Sequence, residues 1–366
     1  MGFKCGIVGL PNVGKSTIFN ALTRGQALAA NYPFATIDPN VGIVPVPDKR
    51  LNELTKIVSA KKIVMTTVEI VDIAGIVKGA SQGEGLGNQF LSHIAEVDAI
   101  IQVVRCFESG DIIHVSGTVD PLRDMDIIQT ELILKDMDAL SKHKARYEKG
   151  ARANSDKKAV QMVSLLNRYE VELNAGRPAR KAQFTPDEKE LLKEVRLITD
   201  KPVLYVANVA EEELGGADGP LTAAVKKKAA EEGASVIRIS GKVEEEISRL
   251  EAEEREEFLK AMNMTESGLD QLVREGYKTL NLITFFTVGE TENRAWTVAS
   301  GSTAPQAAGQ IHSDFEKGFI RAEVVAYDDF LKYKGEAGAK EAGKFRLEGK
   351  EYITQDGDIM HFRFSV

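Results

Sequence analysis

The chain has 366 residues, of which 43% are hydrophobic and 28% charged, and its formal net charge is -8 at pH 7. This composition predicts a soluble globular protein of two or three domains and excludes an intrinsically disordered chain. No apolar run reaches the roughly 18 residues that a membrane helix requires, and the chain begins with a strand-like run rather than a signal peptide. The two cysteines, Cys5 and Cys106, lack metal-site spacing, so we expect buried thiols in a reducing, cytoplasmic compartment.

Short apolar runs alternate with helical segments along much of the chain. A helix is predicted at residues 15–24, and a second helical segment near 88–96 follows a glycine-rich stretch at 75–87. Strands are predicted at residues 4–10, 41–46, 66–73, 98–105, 202–208 and 235–240. This alternation predicts an α/β fold with a mostly parallel sheet that helices cover on both faces.

Two regions interrupt this pattern. Between residues 120 and 175 apolar residues recur at helical spacing, with a turn at 150–155, which predicts an inserted antiparallel helical hairpin, a coiled coil. From residue 282 onward short β-rich runs predict a separate α+β domain. These runs lie at residues 284–288, 296–298, 319–325, 351–353 and 359–364. The acidic stretch 244–257 is predicted to be a solvated helix.

The predicted domains follow from these patterns. A P-loop nucleotide-binding domain comprises residues 1–119 and 200–280, the hairpin insertion comprises residues 120–199, and the C-terminal domain comprises residues 281–366.

A phosphate-binding loop is predicted near the N-terminus. Residues 9–16 match Gly-x4-Gly-Lys-Ser in full, between a predicted strand and a predicted helix, which is the context that a P-loop requires. The glycines let backbone N–H groups face the phosphates, and the helix N-terminus adds partial positive charge. Lys15 is predicted to reach the β- and γ-phosphates, and Ser16 to bind Mg2+. The predicted phosphate-binding residues of this loop are Asn12, Val13, Gly14, Lys15, Ser16 and Thr17.

A second motif, Asp72-Ile-Ala-Gly75, ends a predicted strand downstream of the P-loop. Such an Asp holds Mg2+ directly or through water, and the Gly75 amide is predicted to contact the γ-phosphate. Between the two motifs, Thr36 is the natural switch threonine, which closes on Mg2+ when triphosphate is bound. The alternative for Thr36 is an ordinary loop threonine. The predicted metal ligands are Ser16, Thr36 and Asp72.

The base-recognition motif departs from the guanine-specific pattern. Guanine-specific relatives carry Asn-Lys-x-Asp after a late strand, whereas this chain has Asn208-Val-Ala-Glu211. A carboxylate gains nothing from adenine, which has an acceptor where guanine has N1–H, but the Asn208 amide can pair with adenine N6 and N7. The motif therefore favours adenine over guanine. The predicted base-binding residues are Asn208, Val209, Glu211, Ser240 and Gly241.

With these motifs, the chain resembles the YchF group of Obg-like ATPases. The resemblance is carried by the stretches 9–17, 31–42, 72–88 and 208–211, and it extends over essentially the whole chain. It implies that the C-terminal domain resembles the TGS module, a β-grasp fold. It also implies a translation-factor-class nucleotidase that prefers ATP over GTP and associates with ribosomes or ribosomal RNA. The Asn-x-x-Glu variant is the specific part, since the P-loop alone is shared by a very large class of proteins.

Hydrolysis requires an oriented water molecule. Many small GTPases place a glutamine after Asp-x-x-Gly, but this chain has Ile76 at that position. The resemblance to the YchF group agrees with this, because that group has a hydrophobic residue there. His114 lies on a predicted loop at the C-terminal edge of the sheet, where a neutral imidazole can accept a hydrogen bond from water. It is therefore the candidate catalytic residue, and the alternative is a structural loop histidine. Asn12 is a candidate for holding K+, as in related nucleotidases.

The predicted hairpin is basic although the chain is acidic. Residues 140–185 contain eleven basic and four acidic residues. Such a charge suits a phosphate backbone, and the alternative is a hairpin whose charges only keep it soluble. Sequence-specific DNA binding and membrane binding are not expected. Three functions remain open: an ATPase switch on ribosomes, a GTPase switch with a protein effector, and a nucleotide-gated scaffold with negligible turnover.

Overall fold

The structure of the chain, a computed structural model, describes residues 3–28, 41–73, 93–109, 117–152 and 156–365. The chain divides into two compact units. The larger unit comprises residues 4–42 and 69–271, and the C-terminal unit comprises residues 1–3, 43–68 and 272–366. Residues 43–68, which the sequence placed in the P-loop domain, thus group with the C-terminal unit, and the predicted domain boundaries themselves stay a prediction.

The strands form two six-stranded sheets, ordered β2-β4-β1-β5-β6-β7 and β11-β10-β12-β8-β9-β3. The strands are β1 (Phe3–Val8), β2 (Val41–Pro45), β3 (Lys62–Val64), β4 (Thr67–Asp72), β5 (Ala99–Arg105), β6 (Val203–Asn208), β7 (Ser235–Ile239), β8 (Leu282–Thr287), β9 (Glu292–Ala299), β10 (Phe319–Val325), β11 (Arg346–Glu348) and β12 (Ile359–Phe364).

The helices follow in chain order. They are α1 (Lys15–Leu28), α2 (Lys49–Ile57), α3 (Pro121–Arg152), α4 (Lys157–Asn174), α5 (Pro186–Leu191), α6 (Pro220–Glu232), α7 (Gly241–Ile247), α8 (Ala252–Ala261), α9 (Gly268–Thr279), α10 (Ala304–Ile311), α11 (Ser313–Lys317), α12 (Tyr327–Lys332) and α13 (Glu336–Glu341). Most of the helical segment predicted near 88–96 lies outside the described residues. In the described part of the chain, no helix is both long and apolar enough to cross a membrane.

The first sheet sets the position of the predicted site. Strand β5 pairs in parallel with β1 and β6, and β6 pairs in parallel with β7. Every residue of β5 is buried, which explains its almost continuous apolar sequence. Arg105 and Asn208 are register partners at the ends of β5 and β6. Since parallel strands end at one edge, the residues that follow β5, β6 and β7 meet there.

The helical hairpin is confirmed as helices α3 and α4. Asp156 begins α4 by accepting hydrogen bonds from the backbone N–H groups of Lys158 and Ala159, at 2.9 and 3.2 Å. Apolar residues of both helices, among them Leu140 and Leu165, pack into one core. Helix α3 runs to Arg152, so the turn begins later than predicted.

The C-terminal unit contains a mixed sheet, with β10 antiparallel to β11 and β12 and with β12 parallel to β8. The strand predicted at 351–353 is wrong, because this segment makes only an isolated bridge between Ile353 and Thr303. Strand β11, which the sequence did not indicate, pairs with β10 instead. Helix α2 and strand β3 were also not predicted, and β3 pairs with β9. The fold class is otherwise confirmed: a P-loop domain, a helical insertion and a C-terminal domain.

The acidic stretch 244–257 is not the single solvated helix that was predicted. It contains the end of α7 and the start of α8, and Glu244 is fully buried. The Glu244 carboxylate accepts hydrogen bonds from the backbone N–H groups of Gly268 and Leu269, at 2.6 and 3.4 Å, and so caps α9. Burial raises the pKa of Glu244 to about 7.

Candidate functional site

The P-loop connects β1 to α1 through a backbone turn with positive φ angles. Asn12 and Gly14 have positive φ angles of 64° and 95°. A Cβ atom on Gly14 would lie 2.1 Å from Asn208 Nδ2, so glycine is required there by both the backbone and the available space. The backbone N–H of Ile18 donates to Gly14 O at 3.1 Å, which begins the helical hydrogen-bond pattern of α1.

The structure brings Lys15 and Asp72 together. The Lys15 ammonium donates to Asp72 Oδ1, and the two side chains are only 10% and 18% exposed. The predicted phosphate-binding lysine and the predicted metal-binding carboxylate therefore meet, although they are 57 residues apart in sequence. Ser16 follows Lys15 on the first turn of α1 and is exposed. A Lys and a carboxylate in contact beside an exposed hydroxyl form a donor set suited to a phosphate and a hard metal ion.

Asn208 has a structural role that the sequence did not indicate. Its Nδ2 group donates to Val13 O at 2.8 Å, and its Oδ1 accepts from the backbone N–H of Gly241 at 3.0 Å. The side chain thus joins the P-loop to the segment that follows β7, and the residue is only 4% exposed. Since an amide NH2 group has two N–H donors and the bond to Val13 O uses one, the other can donate to a base.

A cavity of about 600 Å3 lies beside this junction. It contains the predicted base-binding residues together with part of the P-loop. The predicted residues that line it are Asn12, Gly14, Thr17, Asn208, Val209, Glu211, Ser240 and Gly241. Val209 is 2% exposed and Ser240 is 3% exposed, so both form the wall of the cavity rather than its rim. Its size is in the range of small-molecule sites, which extend from about 300 to 1,000 Å3.

Sequence reasoning missed several residues that line this cavity, among them Phe107 and Lys242. Phe107 follows β5, and the guanidinium of buried Arg105 lies 4.6 Å from its ring centroid. Arg105 Nε also donates to Phe107 O at 3.0 Å. Lys242 Nζ lies 3.7 Å from Glu211 Oε2. Phe107 and Lys242 lie within three residues of the ends of the parallel strands β5 and β7, and that position in the sequence is the signal that would have identified them.

Three predicted site residues, Thr36, Gly75 and His114, lie outside the described residues. Their predicted roles, as a metal ligand, a γ-phosphate contact and the catalytic residue, stay predictions.

The basic residues of the hairpin fall into two groups. Lys144 pairs with Glu170 at 2.7 Å, and Arg168 pairs with Glu188 at 2.8 Å. Arg177 and Arg180 likewise pair with carboxylates. Four exposed lysines in the second half of α3 and the first turn of α4 have no ion-pair partner within the described ranges, and we call them the tip lysines. They are Lys142, Lys149, Lys157 and Lys158. Unpaired cations at this end are the ones available to an anionic partner.

Two family models match parts of this chain. A family model described as a 50S ribosome-binding GTPase matches residues 4–135. A second model, named for the C-terminal part of YchF GTPases and described as a protein of unknown function, matches residues 282–365.

Full-length relatives extend the comparison to the whole chain. Proteins from Bacillus subtilis and Escherichia coli O157:H7, both named ribosome-binding ATPase YchF, are 55% and 52% identical, and each alignment covers 100% of both chains. The solved structure of the Schizosaccharomyces pombe YchF GTPase is 42% identical and superposes with a TM-score of 0.88 over 99% of this chain and 98% of that chain. The names of these relatives differ on the nucleotide: the bacterial proteins are named ATPases and the yeast protein a GTPase.

Proposed function

The chain belongs to the YchF family, and from that premise we propose that it is a cytoplasmic P-loop ATPase that acts as a switch on the ribosome. The observation that carries the catalytic part is the contact between Lys15 and Asp72, with the neighbouring P-loop residues Gly14 and Thr17 lining the 600 Å3 cavity. The observation that carries the ribosomal part is the name shared by full-length relatives at 52–55% identity.

We propose that the triphosphate occupies the P-loop and that Mg2+ accompanies it. Lys15 would bind the β- and γ-phosphates as a point charge, and the backbone N–H groups from Asn12 to Thr17 would surround the same oxygens. Ser16 and Asp72 offer the hard oxygen ligands that Mg2+ prefers, and Thr36 would complete the set. When bound, the ion neutralises charge that develops on the phosphate oxygens. Asn12 is the proposed contact for K+.

The base would lie in the cavity and contact Val209, which is buried in the cavity wall. The proposed preference for adenine rests on the replacement of the Lys and Asp of guanine-specific proteins by Val209 and Glu211. Val209 has no lysine stem to cover the guanine ring, and Glu211 is a longer carboxylate than the Asp that pairs with guanine, so we expect weaker GTP binding. The remaining N–H of Asn208 can donate to adenine N7.

We expect ATP to bind more tightly than GTP. The measurement is an equilibrium titration of the purified protein with each labelled nucleotide in the presence of Mg2+. The second candidate function, a GTPase switch, is favoured by the name of the yeast relative, a YchF GTPase. GTP binding that is tenfold tighter than ATP binding, about 1.4 kcal/mol, would establish that function and contradict ours.

The water that attacks the γ-phosphate would be oriented by His114, because Ile76 cannot accept or donate a hydrogen bond through its side chain. The ribosomal contact would be made by the tip lysines, since they are exposed and unpaired while other cations of the hairpin are held by carboxylates. Association driven by such residues depends strongly on salt, because phosphate counterions are released.

A further inference from the structure

Two oppositely charged residues line the nucleotide cavity and face each other. Glu211 begins a 3-10 turn shortly after β6, and Lys242 is the second residue of α7. Lys242 Nζ lies 3.7 Å from Glu211 Oε2, and the side chains are 75% and 42% exposed. The pair therefore joins the segments that follow β6 and β7 at the solvent side of the cavity.

This ion pair can affect the choice between guanine and adenine, because the two purines present different hydrogen-bonding groups. A free carboxylate is an acceptor, and it matches guanine, which presents two donors, N1–H and the 2-amino group. A lysine ammonium is only a donor, and it matches adenine, whose N1 is an acceptor. A Glu211 carboxylate engaged by Lys242 is less available to guanine, and the ammonium beside it repels guanine's donors. Specificity of this kind combines an attraction to one ligand with a repulsion of the other.

We propose that Lys242 is a specificity-determining residue that holds the Glu211 carboxylate away from guanine and offers a donor to adenine. The inference rests on the proposed function, since it explains how a motif that retains a carboxylate at Glu211 still disfavours GTP. It differs from the loss of the Lys and Asp contacts, because it assigns an active rejection of guanine to a residue outside the Asn208–Glu211 motif.

Lys242→Met keeps the aliphatic stem of the side chain and removes the charge. We expect this variant to lower the ratio of ATP affinity to GTP affinity by about three- to fivefold, as suits an exposed ion pair, with most of the change in GTP binding. Binding of inorganic tripolyphosphate, which has no base, should not change. An unchanged ratio, or an equal loss for both nucleotides and tripolyphosphate, would overturn the proposal.

A double-mutant cycle separates this role from a general charge effect. Glu211→Gln should remove most of the effect of Lys242→Met, because the carboxylate is then no longer there to be released. Lys260→Met is the matched control, since Lys260 lies 3.7 Å from Glu256 in an exposed pair outside the cavity, and its ratio should equal that of the wild type. Full additivity of the two cavity substitutions would also refute the proposal. If the proposed function itself is wrong, the wild-type protein will bind GTP more tightly than ATP, and this result is measured independently of the variants.

Discussion

Lys15→Ala should reduce ATP hydrolysis to background and weaken triphosphate binding by about 10- to 100-fold. The substitution removes a charge-assisted contact to the β- and γ-phosphates, and hydrogen bonds to charged groups contribute about 1.5–3 kcal/mol. Hydrolysis falls further than affinity because the same charge is stabilised more strongly as the transition state develops. Multiple-turnover phosphate release and titration with a labelled nucleotide measure the two effects.

Two comparisons make this result specific. His114→Ala should slow hydrolysis while leaving ATP affinity nearly unchanged, because a residue that orients water does not hold the ground-state nucleotide. Thermal melting without nucleotide should show that Lys15→Ala is folded, since the Asp72 carboxylate that loses its partner keeps 18% exposure to water. Turnover at the wild-type rate in Lys15→Ala would show that the phosphate site has been assigned to the wrong residues.

Replacing the four tip lysines together by glutamine should weaken binding to ribosomes by about tenfold or more near physiological salt. Each lost phosphate contact should also reduce the slope of log affinity against log salt by about one. Because all four side chains are exposed and unpaired in the described structure, thermal stability and ATP affinity should barely change. Ribosome co-sedimentation over a series of salt concentrations measures both affinity and slope.

A matched variant tests the rival contact in the C-terminal unit. It replaces four exposed lysines of that unit by glutamine and removes the same charge. They are Lys317, Lys332, Lys334 and Lys340. We expect this variant to bind ribosomes like the wild type. Normal binding by the tip variant together with lost binding by the matched variant would move the ribosomal contact to the C-terminal unit.

Local sequence patterns predicted those parts of the fold that depend on neighbouring residues. Strand β5 is apolar throughout because it is buried on both faces, and the hairpin shows helical periodicity over a long stretch. The P-loop is a local motif whose glycines and lysine occupy fixed positions, so it was found in full. Strand β3 is only three residues long and pairs with β9, more than 200 residues away, so its sequence carries no comparable signal.

The contacts that complete the candidate site depend on tertiary structure. The hydrogen bond from Asn208 to Val13 connects residues 195 positions apart, and no spacing rule indicates it. Glu244 lies within an acidic run, yet it is buried because its carboxylate caps a helix that begins 24 residues later. In the same way, a count of hairpin charges cannot show that Lys144 is held by Glu170 while Lys142 has no ion-pair partner among the described residues.

The most direct test of the account is multiple-turnover phosphate release from an equimolar mixture of ATP and GTP with Mg2+, in which one nucleotide carries the γ-phosphate label at a time. The account predicts sustained release from ATP, faster than release from GTP, and loss of both in Lys15→Ala. Faster release from GTP, or release from ATP no greater than that of Lys15→Ala, would contradict the claim that this chain is an ATPase.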